Sequence, residues 1–317
     1  GVMTKEAGKT WREADADVAE AVDFLEYYAG EMEQLDPPPR LGRYPGELSE
    51  LFWSPRGVTV VIAPWNFPLA IPAGMVAAAL VSGNPVLFKP SERASIMGYR
   101  LAGILRQAGV PAGVLQYVPG GPDVGRELVT QASVATIAFT GSKDVGLGMV
   151  QAAAVQQPGQ KFVKRVIAEM GGKNAIIVDD TADLDEAVTG VVQSCTGYAG
   201  QKCSACSRVI LMDSIHDAFI QRLADAVMSL RIGAAEDPAT QLGPVIDGRA
   251  QKRIRDYLEI GRREGRVVVD RSMEGPGHAV GPVVIAGIEP THRLAQEEIF
   301  GPVLAVMRAL SFEQALQ

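Results

Sequence analysis

The chain is poor in cysteine, and the few cysteines that it has lie close together. Cys195, Cys203 and Cys206 fall within twelve residues of a 317-residue sequence. Disulfides over so short a stretch cannot cross-link a chain of this length. Free thiols suit a reducing compartment, so we expect a cytoplasmic protein, or one of the mitochondrial matrix if the source is eukaryotic.

The spacing Cys203-Ser204-Ala205-Cys206 has the form C-x-x-C and allows three interpretations. A zinc site would need more ligands nearby, but there is no second such pair and the three histidines show no ligand spacing. We therefore expect no metal. A thioredoxin-like redox pair would need its own structural context. A single activated thiol beside bystander cysteines is favoured.

Concentrated positive charge and long apolar runs are also missing. The formal net charge is −7, and the basic residues are spread along the chain, unlike the basic patches of nucleic-acid binders. No apolar run is long enough to span a bilayer. We therefore expect neither a nucleic-acid nor a membrane partner, and a protein that handles small molecules.

The order of strand-like and helix-like segments predicts an α/β fold with a doubly wound, largely parallel sheet. Four apolar runs each lead into a helical pattern; the runs are residues 57–63, 85–89, 114–118 and 134–139. After Gly171-Gly172 the pattern restarts with strands at 174–178, 208–212 and 266–269. A chain this long favours two lobes, and we place the boundary between them near Gly171-Gly172.

An early helix over residues 13–28 precedes the first of these units. Its apolar residues predict a buried stripe, made of Val18, Ala21, Val22, Leu25 and Ala29. Residues 37–56 are rich in proline and glycine and are predicted to form a connecting hairpin or arm. The sequence begins and ends within helical patterns, so we expect a longer parent protein.

Polar motifs follow three of the predicted strands, where doubly wound sheets bind ligands. Lys89 and Glu92 follow the second strand, and a carboxylate there can accept hydrogen bonds from ribose; a solvated lysine and a capping glutamate are equally good interpretations. Thr140-Gly141-Ser142 follows the fourth strand and opens a helix, so backbone N–H groups could hold a pyrophosphate. The G-x-G-x-x-G fingerprint is absent.

Three further residues could carry chemistry. Cys203 stands in a glycine-rich polar turn, whereas a structural cysteine more often sits in an apolar strand. Glu169 precedes a Gly-Gly turn and could act as a general base. Asn66, between Trp65 and Phe67, could donate to an oxyanion or form a plain Asx turn.

Taken together, these motifs resemble the aldehyde dehydrogenase superfamily in identity and order. The matching stretches are Pro64-Trp65-Asn66-Phe67-Pro68, Lys89-Pro90-Ser91-Glu92, Phe139-Thr140-Gly141-Ser142, Glu169-Met170-Gly171-Gly172-Lys173, Gly200-Gln201-Lys202-Cys203 and Glu297-Glu298-Ile299-Phe300-Gly301-Pro302. The resemblance implies that Cys203 is the nucleophile, that Asn66 and the Cys203 N–H hold the oxyanion, and that Glu169 activates water. It also implies a homo-oligomer and NAD as cofactor. In such a protein residues 1–171 would be the NAD-binding domain, with residues 37–56 as a remnant of an oligomerisation hairpin, and residues 172–317 would be a catalytic domain that is incomplete at its C-terminus. The residues implied to bind NAD are Ile62, Pro64, Trp65, Lys89, Glu92, Gly121, Gly141, Ser142, Glu298 and Phe300.

A narrower resemblance is to the subgroup that oxidises L-glutamate γ-semialdehyde to L-glutamate in proline catabolism. It is carried by Gly200–Ala205, by the opening stretch from Gly8-Lys9-Thr10-Trp11 through Asp23-Phe24, and by Lys173–Asp179. It implies that Glu20 binds the substrate ammonium and that Phe67 and Ser204 line the pocket. A dehydrogenase for another semialdehyde, such as succinic semialdehyde, is the alternative, and a non-catalytic protein with this fold is a third.

Overall fold

The structure, a computed structural model, describes all of residues 1–317 and divides into two compact units. One unit holds residues 15–170, and the other holds residues 3–14 together with 171–317. Residues 3–14 therefore group with the second unit, although the sequence suggested residues 1–171 as one domain. The reason is local packing, since the Tyr198 hydroxyl donates to the Ala7 carbonyl and Lys9 is fully buried. The cofactor and catalytic roles of the two domains stay predictions.

The unit of residues 15–170 is built around a five-stranded parallel sheet. The chain opens with helices α1 (Val2–Ala7) and α2 (Trp11–Leu35), and the unit continues with β1 (Val58–Ile62), α3 (Ala70–Val81), β2 (Val86–Lys89), α4 (Ser95–Gln107), β3 (Leu115–Tyr117), α5 (Pro122–Thr130), β4 (Val134–Thr140), α6 (Lys143–Ala154) and β5 (Arg165–Glu169). The strand order is β3-β2-β1-β4-β5. This confirms the predicted doubly wound sheet.

The strands of this sheet form because their residues are β-branched or aromatic and buried. Val60, Val134 and Ile137 are inaccessible to solvent and pack in one apolar cluster with Ile62 and Phe139. Unbroken apolar strands of this kind are typical of a parallel sheet covered on its faces. In the register, Ile62 pairs with Lys89 on one side and with Phe139 on the other. The carboxyl ends of β1, β2 and β4 therefore lie level with one another.

The early helix is present, but of the predicted buried stripe only Ala21 is buried. Val18, Val22 and Leu25 are 45, 48 and 38% exposed, and Ala29 is exposed too. The buried face is made of Ala14, Asp17 and Ala21, and the Phe24 ring packs against Gly74 of α3. The buried Asp17 accepts a hydrogen bond from Ala70 N at 2.7 Å, at the start of α3. A buried carboxylate that caps a neighbouring helix thus decides which face of α2 is buried. A search for apolar residues alone does not find that face.

Residues 36–56 form an exposed hairpin between α2 and β1. Leu41 N donates to Ser49 O at 2.9 Å, and Leu51 N donates to Pro39 O at 3.1 Å. Every residue from 36 to 56 is exposed. The hairpin geometry matches the arm read from the sequence, and its role in oligomerisation stays a prediction.

The unit of residues 171–317 holds a second five-stranded sheet. Its elements are β6 (Asn174–Val178), α7 (Leu184–Thr196), β7 (Cys206–Met212), α8 (His216–Met228), α9 (Gly248–Glu264), β8 (Arg266–Asp270), β9 (Val283–Ala286), α10 (Arg293–Gln296), β10 (Val303–Ala309) and α11 (Phe312–Leu316). The order is β6-β7-β10-β9-β8, and β8 runs antiparallel to β9. The sequence analysis did not identify β9 and β10. Both are short, almost fully buried apolar runs, which have no alternation that separates a strand from a buried helix.

None of the helices has both the length and the apolar composition needed to cross a membrane.

Candidate active site

The carboxyl edge of the first sheet contains a topological switch point. From β1 the chain moves outward through β2 to β3 and then returns to β4 on the opposite side of β1. Such a reversal opens a crevice at the carboxyl ends of the strands, the usual ligand site of an open α/β sheet. The polar motifs predicted from the sequence lie at this edge.

Lys89, Glu92 and Gly121 lie next to one another at the ends of β2 and β3. Lys89 is buried, and its Nζ donates to the Pro90 carbonyl at 3.3 Å. Burial lowers the pKa of Lys89, and the nearby carboxylates of Glu92 and Asp123 oppose that shift. A Cβ added to Gly121 would lie 3.4 Å from Glu92 Oε2. This cluster can offer an ammonium, a carboxylate and an unobstructed backbone to a ligand.

Gly141 and Ser142 form the turn between β4 and α6. Gly141 N donates to Glu169 O at 3.0 Å, so the turn is tied to the end of β5. A side chain at Gly141 would collide with Phe139, because an added Cβ would lie 2.6 Å from Phe139 Cζ. Ser142 caps α6 without a side-chain hydrogen bond. Backbone N–H groups at this helix end can donate hydrogen bonds to a bound anion.

Asn66, Phe67 and Glu169 also belong to the unit of residues 15–170. Asn66 is buried in the turn after β1, and Phe67 beside it is partly buried. Glu169 ends β5, pairs with Thr140 of β4 and is exposed. Glu20 is partly buried on α2. Ile62 ends β1 and is buried, while Pro64 and Trp65 after it are partly buried.

Cys203 lies at the tip of a turn in the other unit. The turn is closed by a hydrogen bond from Ala205 N to Lys202 O at 3.1 Å. Tyr198 and Ala199, just before it, adopt left-handed φ angles of 48° and 53°. Gly200 follows with φ 67°, and a Cβ there would lie 2.4 Å from the Gly301 carbonyl oxygen. We call residues Tyr198–Cys203 the nucleophile loop.

The side chains of Gln201 and Asn174 hold this loop from within the same unit. Gln201 is fully buried; its Oε1 accepts from Ile246 N at 2.9 Å, and its Nε2 donates to Tyr198 O at 3.2 Å. Asn174 Nδ2, at the start of β6, donates to Cys203 O at 2.6 Å and to Ala205 O at 3.2 Å. The backbone on both sides of Cys203 is thereby fixed.

The three thiols differ in exposure. All three cysteines are free, and only Cys203 is partly exposed. Burial raises the pKa of the Cys206 thiol to about 11, and burial raises the pKa of Cys195 as well. A thiol with a raised pKa is a poor nucleophile near neutral pH. Cys203 is therefore the thiol that a solute can reach.

Glu298 and Phe300 belong to the same unit as Cys203. Glu298 is partly buried, its Oε1 accepts from Gly172 N at 3.3 Å, and burial raises its pKa. A Cβ at Gly171 would lie 2.1 Å from Glu298 Oε2, so the Gly-Gly turn makes room for this carboxylate. Phe300 has a left-handed φ of 58°. Glu298 and Phe300 line a narrow groove with Gly172, Gly200 and Cys206.

Ser204 faces a separate open cavity of about 340 Å³ in this unit. The cavity is lined by Gly190, Gln193, Ser194, Lys202, Ser204 and Ala205. Its lining is mostly polar, so it suits a polar rather than a hydrocarbon ligand. Lys202 on its wall forms an ion pair with Glu13 at 2.7 Å.

Sequence reasoning missed three residues around this loop: Lys173, Asn174 and Glu13. Lys173 and Asn174 are part of a motif that was noted, and their polar side chains at the start of an apolar strand are the signal that could have identified them. Burial, together with the neighbouring Arg208, lowers the pKa of Lys173 to about 8. Nothing local in the sequence pairs Glu13 with Lys202.

Comparison with known proteins agrees with this geometry. A model of the aldehyde dehydrogenase family matches residues 1–317. The chain is 48% identical to 1-pyrroline-5-carboxylate dehydrogenase of Geobacillus thermodenitrificans (strain NG80-2), over 99% of this chain and 62% of that protein. The enzyme of the same name from Bacillus subtilis (strain 168) is 43% identical over 99% of this chain and 62% of its own length. The chain therefore spans 62% of the length of these curated relatives.

Two solved structures are similarly close. The 1-pyrroline-5-carboxylate dehydrogenase from Thermus with bound NAD superposes with a TM-score of 0.96 at 45% identity, covering 99% of this chain and 61% of that one. Proline utilization A from Bdellovibrio bacteriovorus gives a TM-score of 0.96 at 48% identity, covering 98% of this chain and 32% of that one. The predicted fold class is confirmed by these likenesses.

Proposed function

The chain belongs to the aldehyde dehydrogenase family, and from this premise we propose that the whole protein oxidises L-glutamate γ-semialdehyde to L-glutamate with NAD, in proline catabolism. The similar proteins named 1-pyrroline-5-carboxylate dehydrogenase support this substrate. The feature that carries the proposal is Cys203, a partly exposed thiol at the tip of a turn whose backbone is fixed on both sides.

Cys203 acts as the nucleophile in this proposal. Its thiolate adds to the aldehyde carbon, and the carbonyl oxygen becomes an alkoxide that the Asn66 amide and the Cys203 N–H stabilise. Loss of a hydride from this carbon leaves a thioester on Cys203. Glu169 then removes a proton from water, which attacks the thioester and releases the carboxylic acid and the thiolate.

The crevice at the switch point fits a dinucleotide cofactor. Gly121 and Gly141 place no side chain over the strand ends, and α6 begins without a side-chain cap. When bound, NAD accepts the hydride that leaves the substrate carbon. We assign contacts with it to Ile62, Pro64, Trp65, Lys89, Glu92, Gly121, Gly141, Ser142, Glu298 and Phe300.

Two carboxylates in this set have distinct tasks in the proposal. Glu92 accepts hydrogen bonds from the adenosine ribose, and its charge repels a 2′-phosphate, which favours NAD over NADP. Glu298 accepts from the nicotinamide ribose, held in place by the Gly172 N–H at 3.3 Å. Phe300 would lie beside the nicotinamide ring of the bound cofactor.

The substrate is an amino acid that carries an aldehyde, so its ammonium needs an anionic partner. We assign that partner to Glu20, and we assign the pocket wall to Phe67 and Ser204. The polar cavity that Ser204 lines supports a substrate with charged ends. We further propose that the protein is a homo-oligomer and acts in a reducing compartment, the cytoplasm or the mitochondrial matrix, which suits its three free cysteines.

The test is NADH formation by the whole protein with L-glutamate γ-semialdehyde and with succinic semialdehyde, followed by absorbance. We expect a preference for the first substrate, and we expect no activity in Cys203→Ala. Cys195→Ala is the matched control, because Cys195 is buried in the apolar core of the same unit, and it should keep the activity. Preference for succinic semialdehyde would replace the substrate but keep the mechanism. Activity in Cys203→Ala would overturn the mechanism.

A further inference from the structure

We propose that residues Ala7–Glu13, near the start of the chain, act as a clamp that holds the nucleophile loop in its reactive position. In this proposal Lys9 and Glu13 are positioning residues for Cys203, and neither touches the substrate. The inference rests on the proposed function only in taking Cys203 as the nucleophile.

The nucleophile loop needs an external support because its backbone is strained. Tyr198 and Ala199 are not glycines, yet both adopt left-handed φ angles. This conformation is unfavourable for a residue that has a side chain, and it persists only where the surrounding structure enforces it. Released from its contacts, the loop would relax away from this conformation.

One end of the loop is held through the Tyr198 side chain. The Tyr198 hydroxyl donates to the Ala7 carbonyl, and Lys9 Nζ lies 4.9 Å from the centre of the Tyr198 ring. Lys9 and Tyr198 are both buried, with exposed fractions of 0 and 2%. A cation over an aromatic ring is attracted more strongly when both are removed from water.

The other end is held by the ion pair between Glu13 and Lys202. The two charges lie 2.7 Å apart and are largely shielded from solvent. Both lie over Gly197: a Cβ added there would be 3.2 Å from Glu13 Oε1 and 3.3 Å from Lys202 Nζ. Lys202 directly precedes Cys203, so this pair acts on the residue next to the nucleophile.

The clamp is itself fixed to the unit, so it can resist movement of the loop. Trp11 Nε1 donates to Glu236 O at 2.9 Å. Gly8 adopts a left-handed φ of 68° and packs on the Pro244 ring. Thr10 is buried beside them. One anchored segment thus holds the loop at Tyr198 and at Lys202. The backbone N–H of Cys203, which directly follows Lys202, is oriented as a result.

The test uses Glu13→Gln and Lys9→Met in the whole protein, with Arg12→Gln as the matched control, since Arg12 is the exposed neighbour of Glu13. Hydrogen exchange of the loop amides should become roughly three- to tenfold faster in both variants and stay unchanged in the control, as expected for loss of a partly buried charge contact. The kcat should fall while KM for NAD is kept. The double charge reversal Glu13→Lys with Lys202→Glu should restore slow exchange.

Unchanged loop exchange in Glu13→Gln would overturn the clamp, and so would a charge reversal that fails to restore it. Exchange that rises equally throughout residues 171–317 would also overturn it, because that is general destabilisation. The exchange measurement needs neither aldehyde nor NAD. If the loop responds as expected in a protein that forms no NADH, the proposed function fails and the clamp stands.

Discussion

The side chain of Lys173 ends in a nitrogen that is buried and has no hydrogen-bond partner. Its pKa falls to about 8, mainly because burial disfavours the charged form, while Glu298 and Glu297 oppose the shift. The native protein therefore binds this proton more weakly than the unfolded chain does. Stability is reduced by the full amount below pH 8, and the reduction disappears as the pH rises from about 8 to 10.5.

We expect Lys173→Met to unfold at a higher urea concentration than the unsubstituted chain at pH 7. A pKa change from 10.5 to about 8 corresponds to about 3 kcal/mol, part of which Met recovers. The difference between the two proteins should close between pH 8 and 10. Lys161→Met, at an exposed lysine, should show no such pH-dependent difference. A difference between the urea midpoints of the two proteins that stays constant from pH 7 to 10 would contradict the lowered pKa of Lys173.

At the scale of single elements, α2 and α3 depend on one another through a charged side chain. Asp17 of α2 is 1% exposed and accepts from the first N–H of α3, that of Ala70, at 2.7 Å. Helix N-termini leave such N–H groups without partners inside the helix, and a carboxylate there also interacts favourably with the helix dipole. Asp17 therefore couples two helices that are far apart in sequence.

Asp17→Ala should lower the melting temperature, because a helix cap contributes about 1–2 kcal/mol. Asp17→Asn keeps an acceptor oxygen, so its melting temperature should lie between those of the unsubstituted protein and Asp17→Ala. Asp15→Ala is the control, since Asp15 is exposed on the same helix, and its melting temperature should stay unchanged. If Asp17→Ala melts at the same temperature as the Asp15→Ala control, the cap does not stabilise the protein.

The same helix shows where sequence reasoning stops. The strand β1 could be predicted because its five residues are apolar or β-branched without a break, and the motifs at strand ends could be placed on one edge because parallel strands share a direction. The buried face of α2 could not be predicted. Asp17 is polar, so the sequence places it at the surface unless its hydrogen-bond partner Ala70 is known. The strands β9 and β10 could not be predicted either, because all their residues except Arg308 are buried and their sequences therefore show no alternation.

The candidate site also has residues that the sequence predicts and contacts that only the tertiary fold makes. Cys203, Glu169 and Asn66 could be named because each stands in a short motif, and their roles stay predictions. The contacts that hold the nucleophile loop could not be read from the sequence. Asn174 is polar at the start of a strand, which is a weak signal, and Glu13 and Lys202 are brought together only by the tertiary fold.

At the scale of the whole molecule, the hairpin of residues 36–56 is the most conspicuous exposed apolar feature. Large side chains on it are exposed by about two fifths to three quarters; they are Leu41, Tyr44, Leu48, Leu51, Phe52 and Trp53. Contiguous exposed apolar residues commonly mark an interaction surface. A second copy of the protein is the partner that the homo-oligomer proposal assigns to it.

We expect the double substitution Phe52→Glu with Trp53→Glu to reduce the molar mass of the whole protein in light scattering, because buried charges weaken an apolar interface by several kcal/mol. Met273→Glu is the control, as Met273 is equally exposed in a loop of the other unit, and the mass should not change. An unchanged mass in the double variant, or a monomeric parent, would remove the hairpin from the interface.

The position of β10 has a consequence for synthesis on the ribosome. The sheet of residues 15–170 is complete once β5 has emerged, so it can fold while the rest of the chain is being made. The second sheet cannot close until β10 has been made, because β10 follows β6 to β9 along the chain yet lies between β7 and β9. Residues 3–14, which group with that unit, are translated before the first sheet, whereas their partners Tyr198 and Lys202 are translated after it. Until those partners have been made the nucleophile loop lacks its clamp, so the proposed position of Cys203 is reached only after the first sheet is complete.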